Sequence, residues 1–190
     1  MAITSKPDIC IRQFRDDDLP EVAEIFEYGM MLYSKNDPVS RSRWENYVTK
    51  SIKSDLADIE GTYMKTGGNF WVATVEGNNG ERKVAGMIAL EPKSNGNAEV
   101  RRVSVHPGYQ RMGIGRKLMT HLVQWATTRH FKTLTLTASY TEKTSAVKFY
   151  TSFGFQFGEN FMFWENPSHE VFWMTKTLSP LPTCQPAPQL

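Results

Sequence analysis

The chain has 190 residues, with 22 Lys and Arg against 20 Asp and Glu and a formal net charge of +2. That length suits one domain with a substantial core, and charge this dispersed excludes the basic stripe that a nucleic-acid module needs. Two cysteines, Cys10 and Cys184, stand near the two ends and outside any CxxC pair, which argues against a disulfide framework and a zinc site and fits a reducing compartment.

The N-terminal MAITSKPDICIRQF lacks an apolar run of signal-peptide length, and no segment supplies the roughly 18 to 20 apolar residues that span a bilayer. The expectation is a cytoplasmic protein without a membrane partner. In chain order, DICIRQF alternates as a strand does, and DDDLPEVAEIFEYGMM sets Leu19, Val22, Ile25, Phe26 and Met30 on one helical face. After a loop containing Asp37 and Pro38, Trp44, Val48, Ile52, Leu56 and Ile59 recur at steps of three and four. This spacing predicts a second helix ending near Gly61. Strands starting at 69, 83 and 98, separated by the turn-rich GNNG and KSNGN, read as an antiparallel meander. A helix over 113–130 carries Leu118, Leu122, Val123, Trp125 and Ala126 on its apolar side and leads to the β-rich TLTLTAS. A short helix then spaces Ala146, Phe149, Tyr150 and Phe153 before Gly154, and two aromatic strands, FQFGENFMFW and EVFWMTKTL, close a domain over residues 1–178. The stretch 179–190, SPLPTCQPAPQL, has the composition of a disordered tail.

The start of the helix near 113 is unusual. YQRMGIGR provides no Ser, Thr, Asp or Asn cap and no first-turn carboxylate, and instead places Arg111, Arg116 and Lys117 where the helix dipole disfavours positive charge. Such an end suits an anion. The dinucleotide pattern GxGxxG fails because Leu118 occupies the third glycine position, and GxxxxGK[ST] is absent. What remains is Gln110, Arg111, Met112, Gly113, Ile114 and Gly115, a loop whose glycines bring main-chain N–H groups close to a ligand such as a pyrophosphate. A strand, a glycine loop and a crossover helix in succession predict a mixed sheet with a phosphate-binding crevice.

VRRVSVHPGYQRMGIGRKLM resembles the coenzyme A motif of the GNAT superfamily of N-acetyltransferases, and AVKFYTSFGF resembles that family's second signature. Both sit in the family's order, and the resemblance covers roughly residues 8–178. ENYVTKSIKSDLADIEGTYM, followed by NFWVATVE and KVAGMIAL, is similar to the camello-like branch, although LYSKNDPVSRSR stands where familiar members have a hydrophobic membrane segment. Lys143 occupies a position where many members have an Asn. The resemblance implies an α/β (α+β) fold with a GNAT-like mixed, mostly antiparallel central sheet of about six to seven strands flanked by about four helices. It also implies acetyl-CoA as cosubstrate, no metal, and direct attack by an amine on the thioester.

Direct transfer needs a neutral amine, stabilisation of a developing oxyanion and a proton for the departing thiolate. Tyr150 matches the family's tyrosine and is the candidate acid, since a phenol with a pKa near 10 stays protonated at neutral pH; its place on an apolar face equally fits core packing. The resemblance implies that the backbone of Val103 and Val105 pairs with the pantetheine arm, and that Gln110, Arg111, Met112, Gly113, Ile114, Gly115 and Arg116 surround the pyrophosphate. Glu99 could draw a proton from the amine through water, or be a solvated strand-end carboxylate. His106, His121, His130 and His169 show no metal-ligand spacing, and no GxSxG elbow occurs. Phe161, Phe163 and Trp164 are candidates for an apolar mouth, with core packing the competing role for these rings and for Trp44 and Tyr47. The acceptor expected is a small-molecule amine, an amino acid or its conjugate; a protein lysine side chain and a non-catalytic acyl-CoA-binding module are the alternatives.

Overall fold

The computed structural model describes residues 8–34, 37–77, 80–139, 145–165 and 168–179. Lys143 and the proline-rich stretch from Pro180 onward lie outside the described residues. Seven strands form one sheet: β1 (Ile9–Gln13), β2 (Asn69–Glu76), β3 (Arg82–Pro92), β4 (Asn97–Val105), β5 (Thr133–Ser139), β6 (Gln156–Glu165) and β7 (Ser168–Thr177). Their spatial order is β1-β2-β3-β4-β5-β7-β6. Every neighbouring pair is antiparallel except β4 and β5, which the crossover through α3 (Ile114–Thr128) makes parallel. The expected mixed sheet is therefore present.

Helices cover both faces. On one, α3 and the short α4 (Ala146–Thr151) close a core that includes Ile114, Leu118, Leu122, Val147 and Phe155. On the other, α1 (Leu19–Met31) and α2 (Pro38–Ile52) pack Val22, Ile25, Phe26 and Val48 over Phe70, Val72, Met87 and Ala89. Asp37 starts α2, its Oδ2 accepting from the Ser40 N–H at 2.6 Å, with Pro38 in the first turn where its missing donor costs nothing.

The second helix ends at Ile52, well short of the Gly61 that the periodicity predicts. Beyond it, the N–H groups of Ser54 and Leu56 both turn back to the Ser51 carbonyl at 3.2 Å, and a π-helical turn over Glu60–Met64 carries Tyr63 into the core. Leu56 and Ile59 are still buried against the same face. Their spacing reports the buried side of the chain, which continues across a change in backbone geometry. The unwinding has a use, because it lets Asp55 reach across to β4.

Candidate active site

The parallel pairing of β4 and β5 is brief, running only from Asn97 to Glu99 against Thr133 to Thr135. Beyond it β4 stays on β3 as far as Val105 opposite Gly86, while β5 stays on β7 as far as Ser139 opposite Val171. The sheet opens into a cleft, and past Glu99 the β5-facing main-chain groups of β4 have no strand partner among the described residues. A cavity of about 340 Å³ occupies the cleft, with Glu99, Val103, Ser104 and Tyr150 among its walls.

A β-bulge shapes the β4 wall. Met87 faces Ser104 but Ala89 faces Arg101, so one residue of β3 spans two of β4, and Arg102 takes a left-handed φ of 55°. The bulge breaks the alternation of side chains. Ala98, Val100, Val103 and Val105 all face the α3 core, whereas Arg101 and Arg102 lie together toward α1 and α2. The step of three between Val100 and Val103, among steps of two, is the trace of this bulge in the sequence.

Arg102 is held by a carboxylate and an aromatic ring. Its guanidinium makes a bidentate pair with Asp55, whose carboxylate also accepts from the Tyr63 hydroxyl, and its Cζ lies 4.4 Å from the Phe26 ring centroid. Burial disfavours the Asp55 charge, but the hydrogen bonds and charge of Arg102, with the Tyr63 hydroxyl, outweigh it and hold the carboxyl below its ordinary value. Burial, the Asp55 charge and the hydroxyl's own bond to Asp55 push the Tyr63 phenol well above its ordinary value, against the pull of Arg101 and Arg102.

At the cleft's far end, the chain leaves β4 through a tight turn at Pro107–Tyr109. His106 Nδ1 caps this turn by accepting from the Gly108 N–H at 3.1 Å, which gives His106 a local structural task. Gln110 Nε2 makes a long contact of 3.5 Å with the Val105 carbonyl. Arg111 and Gly113 then adopt left-handed φ values of 64° and 86°, and α3 begins with no side-chain cap and no first-turn carboxylate. Lys117 N–H to Gly113 O, at 3.0 Å, is the first bond of the helix. The N–H groups of Arg111, Met112, Gly113, Ile114, Gly115 and Arg116 find no acceptor among the described residues. A Cβ on Gly115 would meet nothing closer than 3.6 Å, so the protein's own packing does not demand glycine there. The Arg116 guanidinium lies 5.3 Å from the Phe153 ring centroid. Open donors, adjacent cations and a backbone without obstructing side chains fit a pyrophosphate.

Sequence reasoning missed Gly86, which seats this loop. A Cβ there would come within 2.9 Å of the Ser104 carbonyl and 3.0 Å of Ile114, so the first turn of α3 rests directly on β3. A lone glycine inside a strand pattern is the available signal for such a close approach.

Tyr150 serves packing and the cleft together. Its ring meets Phe149 and Phe155 at centroid distances of 5.3 and 6.1 Å, while the residue also lines the cavity. Glu99 lies in the same wall and is paired with Lys93 Nζ at 3.2 Å. Phe161 and Phe163 of β6 are more than a third exposed and line the cleft with Trp44 and Tyr47 of α2. Trp44 and Trp164 meet edge to face at 4.5 Å, joining α2 to the terminal hairpin. A second cavity, of about 530 Å³, continues from the first and shares Tyr47, Arg101, Arg102 and Phe163 with it. Among the described residues no group of three or more His, Cys, Asp or Glu could hold a metal ion, and no helix is long and apolar enough to cross a membrane.

Residues 36–155 match the acetyltransferase (GNAT) family. The chain belongs to this family. It is 34% identical over 134 residues to N-acetylaspartate synthetase of Xenopus tropicalis, covering 70% of this chain and 45% of that protein. It is 32% identical over 126 residues to N-acetyltransferase 8 of Mus musculus, covering 63% of this chain and 53% of that protein. The chain thus spans about half the length of these curated relatives. The fold is similar to that of PaiA N-acetyltransferase from Thermoplasma acidophilum in complex with coenzyme A, with a TM-score of 0.70 at 18% identity over 90% of this chain and 99% of that one. An acetyltransferase of the GNAT family from Staphylococcus aureus aligns with a TM-score of 0.68 at 21% identity, over 90% of this chain and 100% of that one.

Proposed function

We propose that the chain is an acetyl-CoA-dependent N-acetyltransferase that passes the acetyl group directly to a primary amine of a small molecule, an amino acid or an amino-acid conjugate. The observation that carries this reading is the cleft between β4 and β5, which has uncapped N–H donors at one end, an unpartnered strand edge along one wall and a tyrosine on its lining. Membership of the GNAT family and relatives named as N-acetyltransferases support it.

In this reading the N–H groups from Arg111 to Arg116, with Gln110 and the two arginines, hold the pyrophosphate of acetyl-CoA. Val103 and Val105 offer main-chain groups to its pantetheine arm, as a strand edge does to an added strand. The bound cosubstrate supplies an activated acetyl thioester. A cleft-facing main-chain N–H of β4 polarises the acyl oxygen as the amine adds. A C–N bond forms, the C–S bond breaks, the amine gives up one proton and the thiolate gains one. The Tyr150 hydroxyl donates that proton to sulfur. Glu99 draws the amine proton away through water, with Lys93 setting its position.

The cavity next to the cleft is lined by aromatic and basic side chains of α2, β4 and β6, which suits a small acceptor better than a lysine-bearing peptide. The test is acceptor-dependent thiol release from acetyl-CoA across amino acids, amino-acid conjugates, polyamines and lysine peptides. Release with at least one small amine supports the assignment; coenzyme A binding without release for any amine leaves an acyl-CoA-binding module instead.

A further inference from the structure

We infer that the cavity between α2, β4 and β6 is a carboxylate-binding subsite, so that the acceptor is an amine bearing a carboxylate near its nitrogen; this rests on the transferase reading above. Arg43, Tyr47 and Lys50 follow one another at steps of four and three and so share one face of α2. That face looks onto Arg101 and Phe163 across a space of about 530 Å³. Among the described residues one carboxylate lines the cavity, that of Asp55, and its bidentate pair with Arg102 already neutralises it.

Two of the remaining cations have charge to spare. Arg101 gives Nη1 to Glu91 at 2.7 Å and, with Lys93, is matched by the two carboxylates of Glu91 and Glu99. Arg43 and Lys50 make no ion pair or side-chain hydrogen bond with any described residue. A carboxylate reaching this cavity meets the uncompensated Arg43 and Lys50, with the Arg101 guanidinium alongside as a donor and Tyr47, Phe163 and Trp164 as an apolar wall for the carbon skeleton it carries. Because Arg101 and Arg102 line both cavities, an acceptor anchored here extends toward the stretch of β4 that faces Tyr150. The same cations disfavour an ammonium nearby, which helps the bound amine reach the neutral form that attacks. They also repel polyamines and lysine-rich peptides. The bulge at Arg102 makes the subsite possible, since in a regular strand Arg101 and Arg102 would face opposite sides of the sheet.

The test pairs phenylalanine, glutamate and aspartate with their methyl esters, and phenylalanine with phenethylamine, as acceptors for the wild type and for Arg43→Gln/Lys50→Gln. Binding of the same compounds in the presence of coenzyme A is followed by calorimetry. Arg41→Gln, which removes a charge paired with Glu45 outside the cavity, is the control. The expected result is a kcat/KM at least roughly tenfold higher for the acids than for their esters. The double variant should raise KM for the acids by a similar factor while the KM for acetyl-CoA stays at the wild-type value, and Arg41→Gln should change neither. Esters and phenethylamine used as well as the acids would overturn the subsite and leave the transferase standing. Acids that bind, and lose binding in the double variant, with no thiol release from any amine would keep the subsite and overturn the transferase. Neither binding nor release would remove both.

Discussion

The loop at one end of the cleft offers main-chain N–H groups from consecutive residues, Arg111 to Arg116, whereas the other end offers side chains from α2, β4 and β6. The first needs glycine geometry and an absent cap, and depends little on which apolar residues surround it. The second needs Arg43, Lys50, Arg101 and Phe163 to be brought together by the fold. On the proposed reading, the arrangement separates a fixed demand, a diphosphate common to every turnover, from a variable one, the acceptor. Substitutions at the loop should therefore act on acetyl-CoA, those at the acceptor end on the amine, and Tyr150 between them on the chemical step.

The sharpest separation is expected at Tyr150. Tyr150→Phe keeps the ring that packs on Phe149 and Phe155, and should lower kcat by roughly 10²-fold to 10⁴-fold with little change in either KM. Steady-state kinetics at saturating acetyl-CoA checks this; unchanged turnover would leave the tyrosine a packing residue alone.

Asp55→Ala would break the acceptor side from beneath. It leaves the buried Arg102 guanidinium without its partner, at a cost of about 3–5 kcal/mol by analogy with other broken buried pairs, readable by chemical denaturation. The same pair gives a pH dependence of known sign. Because the folded state holds the Asp55 carboxyl below its unfolded value near 3.8, its contribution is complete above that value and is lost as pH falls through the folded one. Asp55→Asn should flatten this part of the acid unfolding limb.

Smaller effects are expected at the loop, where several groups share one ligand. Arg111→Ala should weaken coenzyme A binding by roughly tenfold to a hundredfold, measured by calorimetry, without altering discrimination among amines. Gly113→Ala forces an L residue into a φ of 86° at about 1–2 kcal/mol, and should raise the KM for acetyl-CoA before that of the acceptor.

The same contrast decides what could be read from the chain in advance. The loop was legible because its chemistry lies in contiguous residues: two glycines, two arginines and a missing cap. The strands were legible from their alternation and turn residues, and the parallel step from the crossover helix between them. The end of α2 was not, because Leu56 and Ile59 keep helical spacing after the backbone has ceased to be helical. Arg101 and Arg102 looked like successive residues of an ordinary strand, although the step from Val100 to Val103 already encoded the bulge. Arg43 and Lys50 gave no signal of their own, since a charged pair on an amphipathic helix is usually a solvated face, and only the position of β6 makes a cavity of it.

The central claim is that the open N–H groups of Arg111 to Arg116, with the free edge of β4, hold coenzyme A. Amide hydrogen exchange resolved by residue, with and without saturating coenzyme A, tests it most directly. The account predicts slower exchange at 111–116 and along Val103 to Val105 when the nucleotide is bound, and little change in α2. Bound coenzyme A that leaves 111–116 exchanging as fast as before, with protection appearing elsewhere, would contradict it.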